Sequence, residues 1–343
     1  MDADLPYART YPAPYNSGTP AWPALTLYPP MENPVAAELV AVLAAVTDGQ
    51  PRVLTTDDAR ALPAGPFESN HRSLQAGLRA WVETQTHHPL GYVEQLYTFA
   101  DRDRSDQDGA QVISVSYLGL TREPAETGVA SVGWQSWYRY FPWEDRRQGP
   151  GALMAEAIEP RLAAWVDLAD DAAMRQRRAD RAAISFGLHG GAWNEDMVLQ
   201  RYELLYEVGL VPEAHGVAGL PPLPPVAPLP GTPMRHDHRR ILATGIARLR
   251  AKIKYRPVVF ELMPAEFTLL QLQQAVEALA GRGLHKQNFR RLIEQQALVE
   301  ETGAMASGAA GRPAKLFRFR RDVLLERAIS GSKLPLAREL HPV

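Results

Sequence analysis

The run Lys286-Gln287-Asn288-Phe289-Arg290-Arg291 carries more chemistry per residue than any other stretch of this 343-residue chain. Apart from Phe289, each member is a polar side chain able to reach a base edge or a phosphate. Arginine and lysine suit guanine or the backbone, and asparagine and glutamine suit adenine. Further on, Arg312 stands beside Pro313 at the end of a Gly- and Ala-rich tip, suited to a minor groove or a phosphate, with Lys315 to help. From residue 236 onward, 19 Lys plus Arg stand against 10 Asp plus Glu, a net of +9. The whole chain is −2 (37 against 39), which leaves −11 for residues 1–235. A basic module attached to an acidic one is the footprint of a nucleic-acid reader. A solvated helical bundle would carry the same excess; the clustering of the cations on one helix and one hairpin tip tells against it.

Three helices and two strands must position those residues. From His238 to Tyr255, Leu242, Ile246, Leu249 and Ile253 make one apolar stripe. Thr268 opens a second helix with Gln271 three residues on, a capping box, and Gly281 and Gly283 end it. A third runs from about His285 to Gln296 with Phe289, Leu292 and Ile293 facing inward. Leu298–Thr302 and Lys315–Arg320 read as strands around the tip, Phe317 and Phe319 on one face and Arg318 and Arg320 on the other. Helix, helix, helix, strand, tip, strand is a winged helix-turn-helix.

The rest of the chain reads as an α/β domain with additions. Residues 1–34 hold eight prolines among five Tyr and Trp residues, an arm and not a helix. Residues 35–145 alternate strands and a helix. A hairpin turns at Asp48-Gly49, a helix covers about His71–Thr84, and strands cover Tyr92–Phe99, Gln111–Leu120 and Trp134–Tyr140. Residues 146–211 are a helical insert, with amphipathic stretches Met154–Leu168 and Trp193–Val208 and a solvated charged run from Arg175 to Arg181. Eight prolines between Pro212 and Pro233 mark a stiff linker at 212–235. The winged helix then covers 236–325, and 326–343 is a tail. There are no cysteines, which excludes disulfides and thiolate metal sites. No apolar run is long enough to span a membrane, and no signal peptide is visible; a cytoplasmic location is the expectation.

The blocks DHRRILATGIARLRAKIKYRPVVFELMPAEFTLLQLQQAVEA, HKQNFRRLI and GRPAKLFRF resemble the DNA-binding domain of Nudix-related transcriptional regulators of the NrtR type. YVEQLYTFADRDR and VISVSYLGL are similar to strands that follow the Nudix helix in that family. The extended N-terminus, WYRYFPWEDRRQG and RYELLYEVGLV resemble its longer NadQ-like branch, repressors of NAD biosynthesis genes. The resemblance implies a multidomain chain: an α/β Nudix-like sandwich, a helical insert and a C-terminal winged helix-turn-helix. It also implies a repressor that binds operator DNA as a homodimer and senses an adenine nucleotide (ATP, NAD or ADP-ribose) with no cofactor required.

A working Nudix hydrolase carries Gly-x5-Glu-x7-Arg-Glu-U-x-Glu-Glu-x-Gly-U, U being apolar, and its glutamates hold magnesium. Laid on this frame, Gly65 and Arg79 fit, Trp81 fills the apolar position and Glu83 keeps one glutamate. His71, Ala80 and Thr84 replace three others, and Thr86 replaces a glycine. A hard dication needs several oxygen ligands, so the expectation is a binding domain with no catalytic residue and no metal. Arg79 and Glu83 either meet a ligand or form a salt bridge at the helix edge. By the resemblance, Tyr97, Phe99 and Arg102 lie beside the former active site, where a ring could stack on adenine and a guanidinium meet phosphate, or they are core and loop surface. Two other functions remain open at this point: a diverged Nudix hydrolase acting on a nucleoside diphosphate derivative, and an interaction scaffold whose winged helix docks a protein.

Overall fold

The computed structural model describes residues 35–68, 71–87, 90–100, 111–123, 131–214, 229–255, 258–306 and 313–320. The N-terminal arm, the C-terminal tail, most of the proline-rich linker, Arg102 and Arg312 lie outside the described residues.

Strand β1 (Val35–Thr47), VAAELVAVLAAVT, has almost no polar residue on either side, the composition of a strand covered on both faces. It turns through Asp48 and Gly49, both in the left-handed region (φ 50 and 68), into antiparallel β2 (Gln50–Thr55). Where β2 leaves, the short β3 (Ala64–Pro66) takes over beside the first half of β1, with Glu38 opposite Pro66. Helix α1 (Leu74–Thr86) follows, capped by Ser73, whose Oγ accepts from the Ala76 N–H. Strands β4 (Tyr92–Phe99) and β5 (Gln111–Leu120) are antiparallel to each other, and β5 lies parallel to β1 from Val35/Gln111 to Ala44/Leu120. With β6 (Gly133–Ser136) outside β2, the sheet order is β4-β5-β1-β2-β6. The hairpin at Asp48-Gly49 and strands β4 and β5 stand where the sequence placed them.

One expected strand is cut short. β6 ends at Ser136 and the chain turns through Trp137–Arg139 as a 3-10 helix. Trp137, Tyr138, Tyr140 and Phe141 are all buried, which a strand with one solvent face cannot achieve.

Leu39, Ala41 and Leu43 of β1 pack with Leu78 and Val82 of α1 on one face. On the other face Val40, Val42 and Ala44 join a core that runs on into the C-terminal half of the chain. The helix covering that second face is α5 (His238–Tyr255). Its Gly245 faces Val42 so closely that a Cβ there would meet the valine's carbons at 2.8–3.2 Å. The periodicity of α5 was legible, and Leu242, Ile246 and Leu249 are indeed buried. A stripe says that a face is covered, not by what: the residues grouped with the winged helix on pattern alone lie against the sheet.

The insert contributes α2 (Glu159–Asp167), α3 (Ala172–Phe186) and α4 (Val198–Glu207). Before α2, Met154–Ile158 form a π turn. Pro160 has no N–H to bond back to Glu156, so the ladder widens there. α4 begins later than the amphipathic pattern, because Trp193 stands outside it, stacked between the guanidiniums of Arg146 (4.1 Å) and Arg201 (3.8 Å). The linker's end is packed, not free. Leu229 and Met234 are buried, and the Leu229 N–H donates to Leu210 O at 2.9 Å.

Last come a 3-10 turn at Val258–Leu262, α6 (Leu269–Ala280), α7 (Lys286–Gln295), β7 (Val299–Met305) and β8 (Lys315–Phe319). The capping box is formed in both directions: Thr268 Oγ1 accepts from Gln271 N–H (3.2 Å), and Gln271 Oε1 from Thr268 N–H (2.8 Å). Phe267 exchanges two backbone hydrogen bonds with Phe317 (2.9 and 2.8 Å) and adds a third, one-residue strand to the wing. A single bridging residue leaves no periodicity, so this strand could not be read from the sequence.

Candidate nucleic-acid interface and ligand cleft

α7 is fixed by a short turn whose parts are side chains of α6. Glu277 Oε1 accepts from the Leu284 N–H (2.8 Å) and from Gln273 Nε2 (3.0 Å), and the same Gln273 nitrogen donates to Leu284 O (3.0 Å). Phe289 and Ile293 anchor α7 in the core, while Leu292, expected inward, is 49% exposed. Two buried positions are enough for a three-turn helix lying on the surface. Lys286, Gln287, Asn288, Arg290 and Arg291 are all exposed, brought together on one helix as the sequence implied.

In the wing, Lys315 is paired with Glu301 (2.8 and 2.9 Å), and Arg318 with Glu300 (2.8 Å). Exposed pairs of this kind contribute about 0–1 kcal/mol, so Lys315 can exchange Glu301 for a phosphate at little cost. Phe317 and Phe319 are partly buried and Arg318 is exposed, as anticipated, whereas Arg320 is half-buried like the phenylalanines. Phe319 lies 5.0 Å from the Phe267 ring.

Of the residues expected around a ligand, Tyr97 and Phe99 are in edge-to-face contact (ring centroids 5.3 Å), and Arg102 lies outside the described residues. Arg79 donates through Nη1 to Leu90 O and through Nη2 to Gly91 O (2.9 Å), which ties α1 to the start of β4, and Glu83 is exposed. Phe99 is buried in the core beneath Arg240, whose guanidinium lies 5.3 Å from the ring. Tyr97 is 62% exposed on β4.

A cleft of about 480 Å³ opens where β2 and β3 part, lined from α1 as well as from the approach to α5. Glu38, Thr56, Asp57, Gln85, Arg235 and His236 are among its lining residues. Its walls are braced. Glu38 Oε2 accepts from Ser114 Oγ (2.7 Å), Asp57 pairs with Arg235 (2.6 Å), and Gln85 Nε2 donates to Ala64 O (2.6 Å). The Leu62 N–H donates to Nδ1 of His238, the first residue of α5 (2.9 Å). Volume and composition suit a polar ligand with hydroxyl and phosphate groups. The lining comes from β1, the segment 56–64, α1, residues 131–132 and residues 235–238, so no motif announced the cleft.

Between cleft and α7 lies a buried ionic joint. Glu144 is 1% exposed and accepts two hydrogen bonds from Arg201 of α4 (2.6 and 2.8 Å) and one from Arg250 of α5 (2.5 Å). Arg250 Nε donates onward to Leu279 O near the end of α6 (2.8 Å). Burial alone would raise the Glu144 pKa; the two guanidiniums outweigh it and hold the carboxyl below its ordinary value. Neighbouring groups tie the same segment to α6. Tyr138 Oη donates to Ala278 O (2.6 Å) and the Arg146 N–H to Gly281 O (2.7 Å). At the other edge of the sheet, Glu94 is held by Lys252, Tyr92 and Arg248; burial raises its pKa, and these hydrogen bonds overcome that and bring it to about 2.

Residues 259–319 match the NrtR DNA-binding winged helix domain family, a stretch that begins after α5. The ADPR responsive transcriptional repressor NtrR of Acinetobacter baylyi is 41% identical over 83 residues, 24% of this chain and 33% of that protein. The chain thus spans about a third of the curated relative's length. Shewanella oneidensis NrtR bound to a 27mer DNA is 21% identical at a TM-score of 0.49, covering 84% of this chain and 94% of that one. A MutT/nudix family protein from Enterococcus faecalis is 17% identical at a TM-score of 0.46, covering 85% and 89%. The C-terminal module is a winged helix of the NrtR type. No helix among the described residues is long and apolar enough to cross a membrane.

Proposed function

We propose that this chain, whose C-terminal module is an NrtR-type winged helix, is a transcriptional repressor that binds operator DNA through α7 and releases it in response to ADP-ribose or a related adenine nucleotide. The observation that carries the reading is the exposed face of α7, with Lys286, Gln287, Asn288, Arg290 and Arg291 on a helix anchored by Phe289 and Ile293. Lys315 joins it from the wing, and Arg312, outside the described residues, is given the same role from the sequence. One such module makes too few contacts for tight specific binding, so the active form is a homodimer on a near-palindromic site. With about four phosphates neutralised per protomer, log affinity falls with log salt at a slope near −7.

The sheet domain is a Nudix-like sandwich that binds without hydrolysing. On α1, Ala80 and Thr84 offer no charge where the resemblance places metal-holding carboxylates, and the one glutamate left, Glu83, does not make a site for a hard dication. The nucleotide sits in the cleft at β2, β3 and the start of α5, with Arg235 and His236 toward phosphate and Glu38 or Asp57 toward ribose hydroxyls. α5 carries the signal. About 27 Å long at 1.5 Å per residue, it has His238 at the cleft and Arg250 at the Glu144 joint beside α6.

The test is release. ADP-ribose added to a preformed protein–DNA complex lowers DNA affinity about 5- to 150-fold, the span of a 1–3 kcal/mol coupling. DNA affinity unchanged at saturating ADP-ribose, NAD and ATP would remove the sensor from the proposal.

A further inference from the structure

Burial fixes how α7 is turned about its own axis. Phe289 and Ile293 are its two buried residues, and at about 100° per residue the direction opposite them passes through Arg291. Gln287, one turn earlier, and Gln295, one turn later, lie about 40° to either side of it. Arg290 stands about 100° away on one flank, and Lys286, at the first turn, about 140° away on the same side. Among the described residues, no hydrogen bond or ion pair engages the side chains of Gln287, Arg291 or Gln295, and all three are exposed. They are long, flexible and polar; Asn288 and Glu294, also exposed, lie about 60° to either side of the same direction.

Resting on the DNA-binding reading above, we propose that Gln287, Arg291 and Gln295 form the base-reading row of α7, whereas Lys286 and Arg290 grip phosphates on its flank. In a helix-turn-helix the recognition helix lies in the major groove, and α7, anchored by Phe289 and Ile293, can present to base edges only the side opposite those anchors. Arg291 then pairs with guanine O6 and N7, and the two glutamines pair with adenine N6 and N7 on either side. Leu292, on the other flank and half exposed, offers aliphatic surface to a thymine methyl. Sequence alone drew attention to the basic run; Gln295, outside that run, enters only through the helix's rotational setting.

The experiment uses the full chain and a randomised duplex library of about 30 bp, enough for two half-sites a helical turn apart. Wild-type protein selects its site, and Gln287→Ala, Arg291→Ala, Arg291→Lys, Gln295→Ala, Lys286→Ala and Arg290→Ala are titrated against that site and an unrelated duplex. Row variants lose roughly 5- to 150-fold on the selected site, with Arg291→Lys impaired there because lysine lacks the guanidinium fork, though less than Arg291→Ala. Gln287→Ala, Gln295→Ala and Arg291→Lys leave binding to the unrelated duplex unchanged. Flank variants lose affinity for both duplexes alike and lower the salt slope by about 1 per phosphate lost. Melting temperatures stay at the wild-type value throughout, since all these side chains are exposed. Unchanged selectivity in the three row positions, or loss of selectivity confined to Lys286 and Arg290, would overturn the assignment while leaving DNA binding intact. A wild-type protein that selects no site at all would remove the reading on which it rests.

Discussion

Glu144→Gln is the sharpest perturbation of the joint between sheet, insert and winged helix. The substitution keeps the side chain's size and removes one charge. Arg201 and Arg250, both 0% exposed, then face a neutral amide whose NH2 points donor against donor. Breaking a buried ion pair by removing one partner costs about 3–5 kcal/mol, because the remaining charge has no counterion and no water. Here two guanidiniums are left, but the carbonyls of Ser185, Asn194, Glu195 and Leu279 still accept from them, which keeps the loss within that range. Equilibrium denaturation in guanidinium, fitted for midpoint and slope, measures it. The pH dependence has a definite sign. The folded-state pKa of Glu144 is depressed, so its contribution is complete above the unfolded value of about 4.3 and is lost as pH falls through the depressed one. The gap between wild type and Glu144→Gln is therefore widest at neutral pH and closes in acid. A loss under about 1 kcal/mol at pH 7, or a gap independent of pH, would refute the charged joint.

Three further outcomes follow from the same geometry. Gly281 ends α6 at φ 72, and a Cβ there would collide with Glu144 O and the Arg250 guanidinium, so Gly281→Ala lowers stability by more than the ~1 kcal/mol typical of a left-handed position alone, read as a drop in melting temperature. Glu94, with a folded pKa of about 2, contributes stability that is present above pH ~4.5 and fades toward pH 2; acid titration of Glu94→Gln against wild type shows a flatter curve in that window, and parallel curves would contradict it. Arg235→Ala weakens ADP-ribose binding at least tenfold by calorimetry and leaves DNA affinity without ligand unchanged; equal ligand affinities would take Arg235 out of the site.

Legibility in the sequence followed the range of the interactions concerned. α6 was readable to its cap because Thr268, Gln271 and Gly281 act within one chain segment. The Asp48-Gly49 turn and strands β4 and β5 were readable for the same reason. The exposed face of α7 was foreseen, but its inner edge was not, since Leu292 has the hydrophobicity of a core residue without the burial. α5 was recognised as a helix, but its place between the sheet and α6 was not, because periodicity cannot name the surface a stripe covers. Glu144, Arg201 and Arg250 are separated by 57 and 49 positions and look like ordinary surface charges until the fold closes over them. The cleft draws on β1, the β2–β3 connection, α1 and the approach to α5, so its residues share no spacing that a linear reading could find.

Reciprocity gives the most direct measurement. ADP-ribose is titrated into the chain alone and into the chain saturated with its selected DNA site, with release of AMP and ribose 5-phosphate followed in magnesium and in manganese. If the cleft and α7 are coupled through α5, DNA weakens ADP-ribose binding by the same factor by which ADP-ribose weakens DNA binding. No sustained product release accompanies it. Identical ADP-ribose affinities with and without DNA would contradict a coupled sensor, and continuous turnover would show an enzyme where a binding domain is claimed.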